Sequence, residues 1–155
     1  MTQEILKYQE LGFTGFIKVK ELHIASPIPP CNGVYIVVRD SHTPPQFLYK
    51  GMAGFFKEKD PNVPIETLEQ KYVASSQVVY IGKAKNLRKR ISELIRFGNG
   101  AKVGHWGGRF LWQLADAQDL LIAWCPCSFP RETERCLLTA FEEAHGALPF
   151  ANLQK

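Results

Sequence analysis

The chain has 155 residues, 45% hydrophobic and 22% charged, which is the length and balance of one ordinary globular domain. Disorder and collagen-like structure are excluded, and no apolar run approaches the roughly 18 residues of a membrane span, so no membrane partner is expected. The start, MTQEILKYQE, lacks the basic-then-apolar order of a secretory leader. Four cysteines (Cys31, Cys125, Cys127, Cys136) are too few and too irregular for a disulfide framework, so reduced thiols in a cytoplasmic protein are expected. The net charge is only +4, yet residues 83–109 hold eight basic side chains against Glu93 alone. Such a cationic segment suits a polyanion, of which nucleic acid is the commonest, although a solvated helix face has the same composition.

Residues 1–30 are mixed, and Pro27-Ile-Pro-Pro30 excludes regular helix or central strand there; they read as an N-terminal extension. Gly33–Arg39 is rich in β-branched and aromatic residues and predicts a strand, broken by Ser41-His-Thr-Pro-Pro45. Gln46–Lys50 is a second short strand candidate, and residues 51–63 read as loop. Pro64–Tyr72 fits a short helix with proline in its first turn. Gln77–Gly82 predicts a strand, followed by a helix from Asn86 to Phe97 closed by Gly98. Residues 98–108 hold five glycines and read as loop; Phe110–Leu114 fits helix or strand. Asp119–Trp124 predicts a buried strand, and Pro130 opens a helix to about His145, ended by Gly146. Together these predict a single α+β domain over 1–155, with a small, mostly antiparallel central sheet flanked by helices and an insert over 41–76.

On the 86–97 helix, Leu87, Ile91, Leu94 and Ile95 fall within about a 100° arc, a core stripe of normal width. Lys85, Lys89 and Arg96 point away from it. Arg90 flanks the stripe, where an arginine lays its stem on apolar surface and projects its head, either as simple snorkelling or into a site. On the 130–145 helix, Glu134 sits in the middle of the Leu137, Leu138, Phe141 stripe. A carboxylate there is costly unless it is paired or binds a cation, or unless the first-turn helix dipole and incomplete burial relieve it.

Two tripeptides stand on predicted strands: Gly33-Val34-Tyr35 and Tyr80-Ile81-Gly82. The second continues as Lys-Ala-Lys-Asn-Leu-Arg-Lys-Arg-Ile91 into the basic helix. With Glu134-Arg-Cys-Leu-Leu138 and Pro149-Phe-Ala-Asn152, these four motifs in order over residues 33–152 resemble the GIY-YIG nuclease family. The chain is especially similar to the GIY-YIG domain of the bacterial nucleotide-excision-repair endonuclease subunit.

The resemblance implies a metal-dependent DNA endonuclease, acting on double-stranded or branched DNA in repair, restriction, recombination or homing. Tyr35 and Tyr80 would be paired active-site tyrosines, with Tyr35 favoured as base and Tyr80 as positioning group. Lys83 matches the lysine after the second tyrosine motif of the repair-type members. Arg90 would contact the scissile phosphate and Glu134 would ligate Mg²⁺ or Mn²⁺. Asn152 would close the site against DNA or support the glutamate. Lys85, Arg88, Lys89, Arg96 and Arg109 are the candidate DNA contacts. One carboxylate suffices for Mg²⁺ that keeps waters and substrate phosphate, arginine offers phosphate a bidentate fork, and nearby cations favour a phenolate over its reference pKa of about 10.

The chain departs from the family in places. A histidine or tyrosine one turn after the arginine is replaced by Leu94. His105, in the Gly-rich loop, is either a plain surface histidine or a substitute for that group. The two motifs lie farther apart than usual, and Tyr49-Lys50-Gly51 between them mimics the second weakly and reads as structural. Cys125-Pro-Cys127 lacks zinc spacing and a second pair. Gly104-His-Trp-Gly-Gly-Arg109 fits either a phosphate cradle with a base stacked on Trp106 or a rigid loop packing Trp106 into the domain. Trp112 and Trp124 read as core. Specificity would come from the 41–76 insert, the 98–109 loop or a protein partner. The rival is a catalytically inactive nucleic-acid-binding module of the same fold, which Leu94 favours.

Overall fold

Every residue of Gly33–Val38 is buried, as expected of a β-branched run in a central strand. The computed structural model describes residues 2–22 and 27–155. In these residues the elements are α1 (Gln3–Glu10), β1 (Thr14–Lys18), β2 (Gly33–Val38), α2 (Ile65–Lys71), β3 (Val78–Ala84), α3 (Leu87–Gly98), β4 (Leu121–Pro126) and α4 (Pro130–His145), with three short 3-10 helices. The four strands form one antiparallel sheet in the order β1-β4-β2-β3. The protein is α+β.

Strand alternation divides the core into two layers. Tyr35, Val37 and Tyr80 face Leu87, Ile91, Leu94 and Phe97 of α3 and a 3-10 helix over Trp106–Gln113. Val34, Ile36, Val38 and Ile81 face Ile5 and Tyr8 of α1 and Leu138 and Phe141 of α4. Asn86 caps α3, its side chain accepting from Lys89 N at 3.1 Å, and Gly146 ends α4 in the left-handed region at φ 76°.

Several expectations are corrected. Residues 2–22 of the expected N-terminal extension are packed into the domain. Thr2 caps α1, Glu4 accepts from Gln77 N and Ser76 Oγ at 2.6 Å each, and β1 pairs with β4. The β1 pattern was illegible because a bulge interrupts it between Gly15 and Ile17, with Phe16 at φ 55°. Residues 1 and 23–26 of that segment lie outside the described residues. Gln46–Lys50 is not a strand: only Phe47 bridges, to Leu114. Tyr49 is 85% exposed. Phe110–Gln113 belongs to the 3-10 helix, which also takes Trp106–Gly108 out of the expected loop. Gly98 does not stop α3 but is its last residue, and a Cβ there would overlap the Trp112 indole. The stop falls at Asn99, with Gly100 at φ 94°.

The Gly98→Ala variant therefore forces a methyl group into a fully packed indole. It is expected to lose about 2 kcal/mol and roughly 4–8 °C of melting temperature by calorimetry. An unchanged melting temperature would mean that α3 and Trp112 are not in contact.

Candidate functional site

The β2–β3 register sets Tyr35 opposite Gly82 and Val37 opposite Tyr80, so both phenols share one face of the sheet. The Tyr35 ring lies directly over Gly82, where any Cβ would come within 2.5 Å of the ring. Glycine at that position is thus a condition for the Tyr35 orientation. The two rings are 6.0 Å apart and tilted by 42°. Tyr35 is 1% exposed and Tyr80 9%, so Tyr80 is the phenol nearer the surface.

His105 is not a surface histidine: it is fully buried. Its Nε2 lies 2.7 Å from the Tyr35 hydroxyl, the shared proton sitting on one or the other according to the tautomer. Its ring is 5.8 Å from that of Tyr80. A Cβ placed on Gly108 would meet both the imidazole at 3.0 Å and Leu94 Cδ1 at 3.3 Å, so His105 sits beside Leu94. Its Nδ1 is buried with no partner. Sequence carried no signal for this, because a histidine in a glycine-rich loop has no periodicity that reports burial.

Arg90 is 35% exposed and fixes the loop that carries His105: Nη1 donates to Gly104 O at 2.7 Å and to Glu93 Oε2 at 3.0 Å. Its Nε and Nη2 have no partner among the described residues. Glu134 is 16% exposed and pairs through Oε1 with Lys83 Nζ at 3.3 Å. Its negative charge raises the pKa of both phenols, although desolvation is the larger cause. Arg90 pulls both the other way without offsetting burial, so both phenols stand above the ordinary tyrosine range. The expected phenolate-favouring effect of the cations is present but outweighed. Tyr35, Tyr80 and His105 thus pack together, Arg90 holds the loop that carries His105, and the charges of Arg90 and of the Lys83-paired Glu134 act on both phenols.

Beside these side chains opens a cleft of about 780 Å³ between β3 and the first turns of α3 and α4. Lys83, Lys85, Lys89, Arg90 and Arg131 line it against Glu93. Arg131 was missed; its position three residues before Glu134 was the available signal. Arg88 is not in the cleft wall and donates to Ile28 O at 2.8 Å. Arg96 is exposed on α3 but not in the cleft wall. Arg109 is stacked on Trp106, 4.5 Å from its ring, and half-buried Trp106 packs against the core, as the rigid-loop alternative has it.

Asn152 is neither a DNA contact nor a support for Glu134. It is 5% exposed, with Oδ1 accepting from Ile81 N and Nδ2 donating to Ile81 O, both at 2.9 Å. β3 is an edge strand, and this carboxamide satisfies its free edge in place of a fifth strand. Its effect on the site is to fix the backbone between Tyr80 and Gly82.

The cysteines are free. Among the described residues no group of three or more His, Cys, Asp or Glu side chains could hold a metal, and no helix is long and apolar enough to cross a membrane.

Burial first, and Arg90 second, hold His105 far below its ordinary 6.5, at about 3. Between those values the unfolded chain binds a proton that the fold excludes, so stability falls as pH drops through 6.5 toward 3, by up to about 1.4 kcal/mol per pH unit. Urea titrations across this range should show a slope shallower by about one proton in His105→Gln. An identical slope would place the imidazole in water. No protein-family model, curated protein or solved structure matches this chain.

Proposed function

We propose that the protein is a divalent-metal-dependent DNA endonuclease that hydrolyses phosphodiester bonds at the Tyr35–Tyr80–Arg90–Glu134 cluster. The paired phenols on one face of the sheet, both under the charges of Arg90 and Glu134, beside a cationic cleft that Arg90 and the Glu134 partner Lys83 line, carry the assignment. The motif order that resembles the GIY-YIG nucleases supports it.

Each residue has a task that its geometry suits. Lys85, Lys89 and Arg131 attract the DNA backbone along the cleft. Arg90, with Nε and Nη2 free, donates to the scissile phosphate and neutralises charge that develops there. Tyr35 and Tyr80 act as one coupled unit that orients and deprotonates water. Phosphate-bound cations are what such buried phenols need, because burial alone keeps their protons on. His105 fixes the Tyr35 hydroxyl and stands where Leu94 leaves a polar group missing. Lys83 holds Glu134 in place and moves to the phosphate on binding.

Glu134 fits Mg²⁺ or Mn²⁺: it is a largely buried carboxylate whose ion pair among the described residues is with the half-exposed Lys83, and such ions bind through one carboxylate, waters and substrate phosphate. When bound, the ion lowers the pKa of coordinated water and stabilises the leaving oxygen.

A second reading, an inactive nucleic-acid-binding module, is favoured by the Lys83–Glu134 pair, which occupies the carboxylate that cleavage requires. Plasmid incubated with protein and Mg²⁺ or Mn²⁺ separates the two. Nicking is expected, with Glu134→Gln reducing it at least a hundredfold while DNA affinity is kept. Removing one cleft lysine, as in Lys89→Gln, should reduce the salt slope of binding by about one. Salt-sensitive binding without nicking in either metal would sink the nuclease.

A further inference from the structure

A second surface lies one loop away from this cluster. Half of the exposed large hydrophobic side chains among the described residues fall within eight positions: Leu48, Tyr49, Met52 and Phe55. Tyr49 is 85% exposed, Met52 68% and Phe55 44%. Met52 and Phe55 border a cleft of about 770 Å³ whose charged lining is Lys50, Lys57 and Lys102 against Glu58 alone. Water-facing aromatics beside lysines are what a single-stranded nucleic acid requires, since bases stack and phosphates need cations. A protein partner is the poorer match, because lysine is depleted in such interfaces.

The surface is built rather than loose. Buried Gln113 holds both ends of the segment, accepting from Val63 N at 2.9 Å and donating to Val63 O at 2.9 Å and Leu48 O at 3.1 Å. Asn62 accepts from Gly51 N at 2.8 Å, and Gly54 N donates to Phe97 O at 3.0 Å. The segment also abuts the first site. A Cβ on Gly104 would lie 3.2 Å from Phe56, and the Gly104 carbonyl is the one Arg90 holds.

We propose that this cleft binds an unpaired stretch of the DNA substrate, with bases on Tyr49 and Phe55 and phosphates on Lys50, Lys57 and Lys102. This deepens the nuclease reading and rests on it for the identity of the substrate: DNA with a single-stranded tail, flap or junction arm.

The test is fluorescence anisotropy of the full chain, in EDTA, with a blunt duplex and the same duplex bearing a tail of about ten nucleotides. Wild type and Glu134→Gln are expected to prefer the tailed duplex by about tenfold. The Tyr49→Ala/Phe55→Ala double variant should lose that preference at least fivefold, with blunt-duplex affinity and melting temperature unchanged. Lys57→Gln/Lys102→Gln should lower the salt slope for the tailed duplex only. Equal tail preference in the aromatic variant overturns the proposal. So does loss of binding to phosphatidylserine vesicles with tail binding intact, which would make the surface a membrane contact. The readout needs no metal and no cleavage, so a protein that binds tails but never nicks refutes the nuclease without refuting this cleft.

Discussion

The antiparallel pairing of β2 with β3 is the constraint on which the site depends. A slip of one residue would send Tyr35 or Tyr80 to the α1–α4 face and leave the other alone. Three features hold the register. Gly82 leaves room for the Tyr35 ring, the buried β-branched residues tie each face to its own core layer, and Asn152 pins the outer edge of β3 at Ile81. The last comes from the far end of the chain. The C-terminal segment is therefore part of the machinery that sets the site, although it never enters it.

The cluster carries a conflict that ordinary cores avoid. Two phenols and an imidazole are buried together, and burial pushes the phenols up and the imidazole down, toward the uncharged form in each case. All three are neutral at rest, with one imidazole nitrogen unpartnered. Arg90 and Glu134, both partly exposed, carry the charge at the rim. Polar groups left partly unsatisfied cost stability, and they are tolerated where function needs them.

Buried polar residues also organise the region between the two tyrosine strands. Arg39, at 5% exposure, bonds Asp116 at 2.8 Å and the Thr43 carbonyl at 2.7 Å, and Gln113 anchors the 48–63 segment. These anchors let a segment with almost no regular structure hold a fixed shape. They also free its apolar side chains from packing duty, so that Tyr49 and Met52 face water.

The sequence by itself determined β2, β3, β4, α3, α4 and the separation of Arg90 and Glu134 from their neighbours. Each of these rests on local periodicity, capping or a β-branched run, which are properties of a few consecutive residues. Only the tertiary structure decided the rest. β1 was hidden by its bulge, and position 98 must be glycine because a distant indole leaves no room for a Cβ. His105 became a buried partner of Tyr35 because a loop folds over the sheet. Asn152 became an edge clamp because β3 has no outer strand among the described residues. In each of these cases the energy comes from a contact distant in sequence, and no pattern within a short window encodes it.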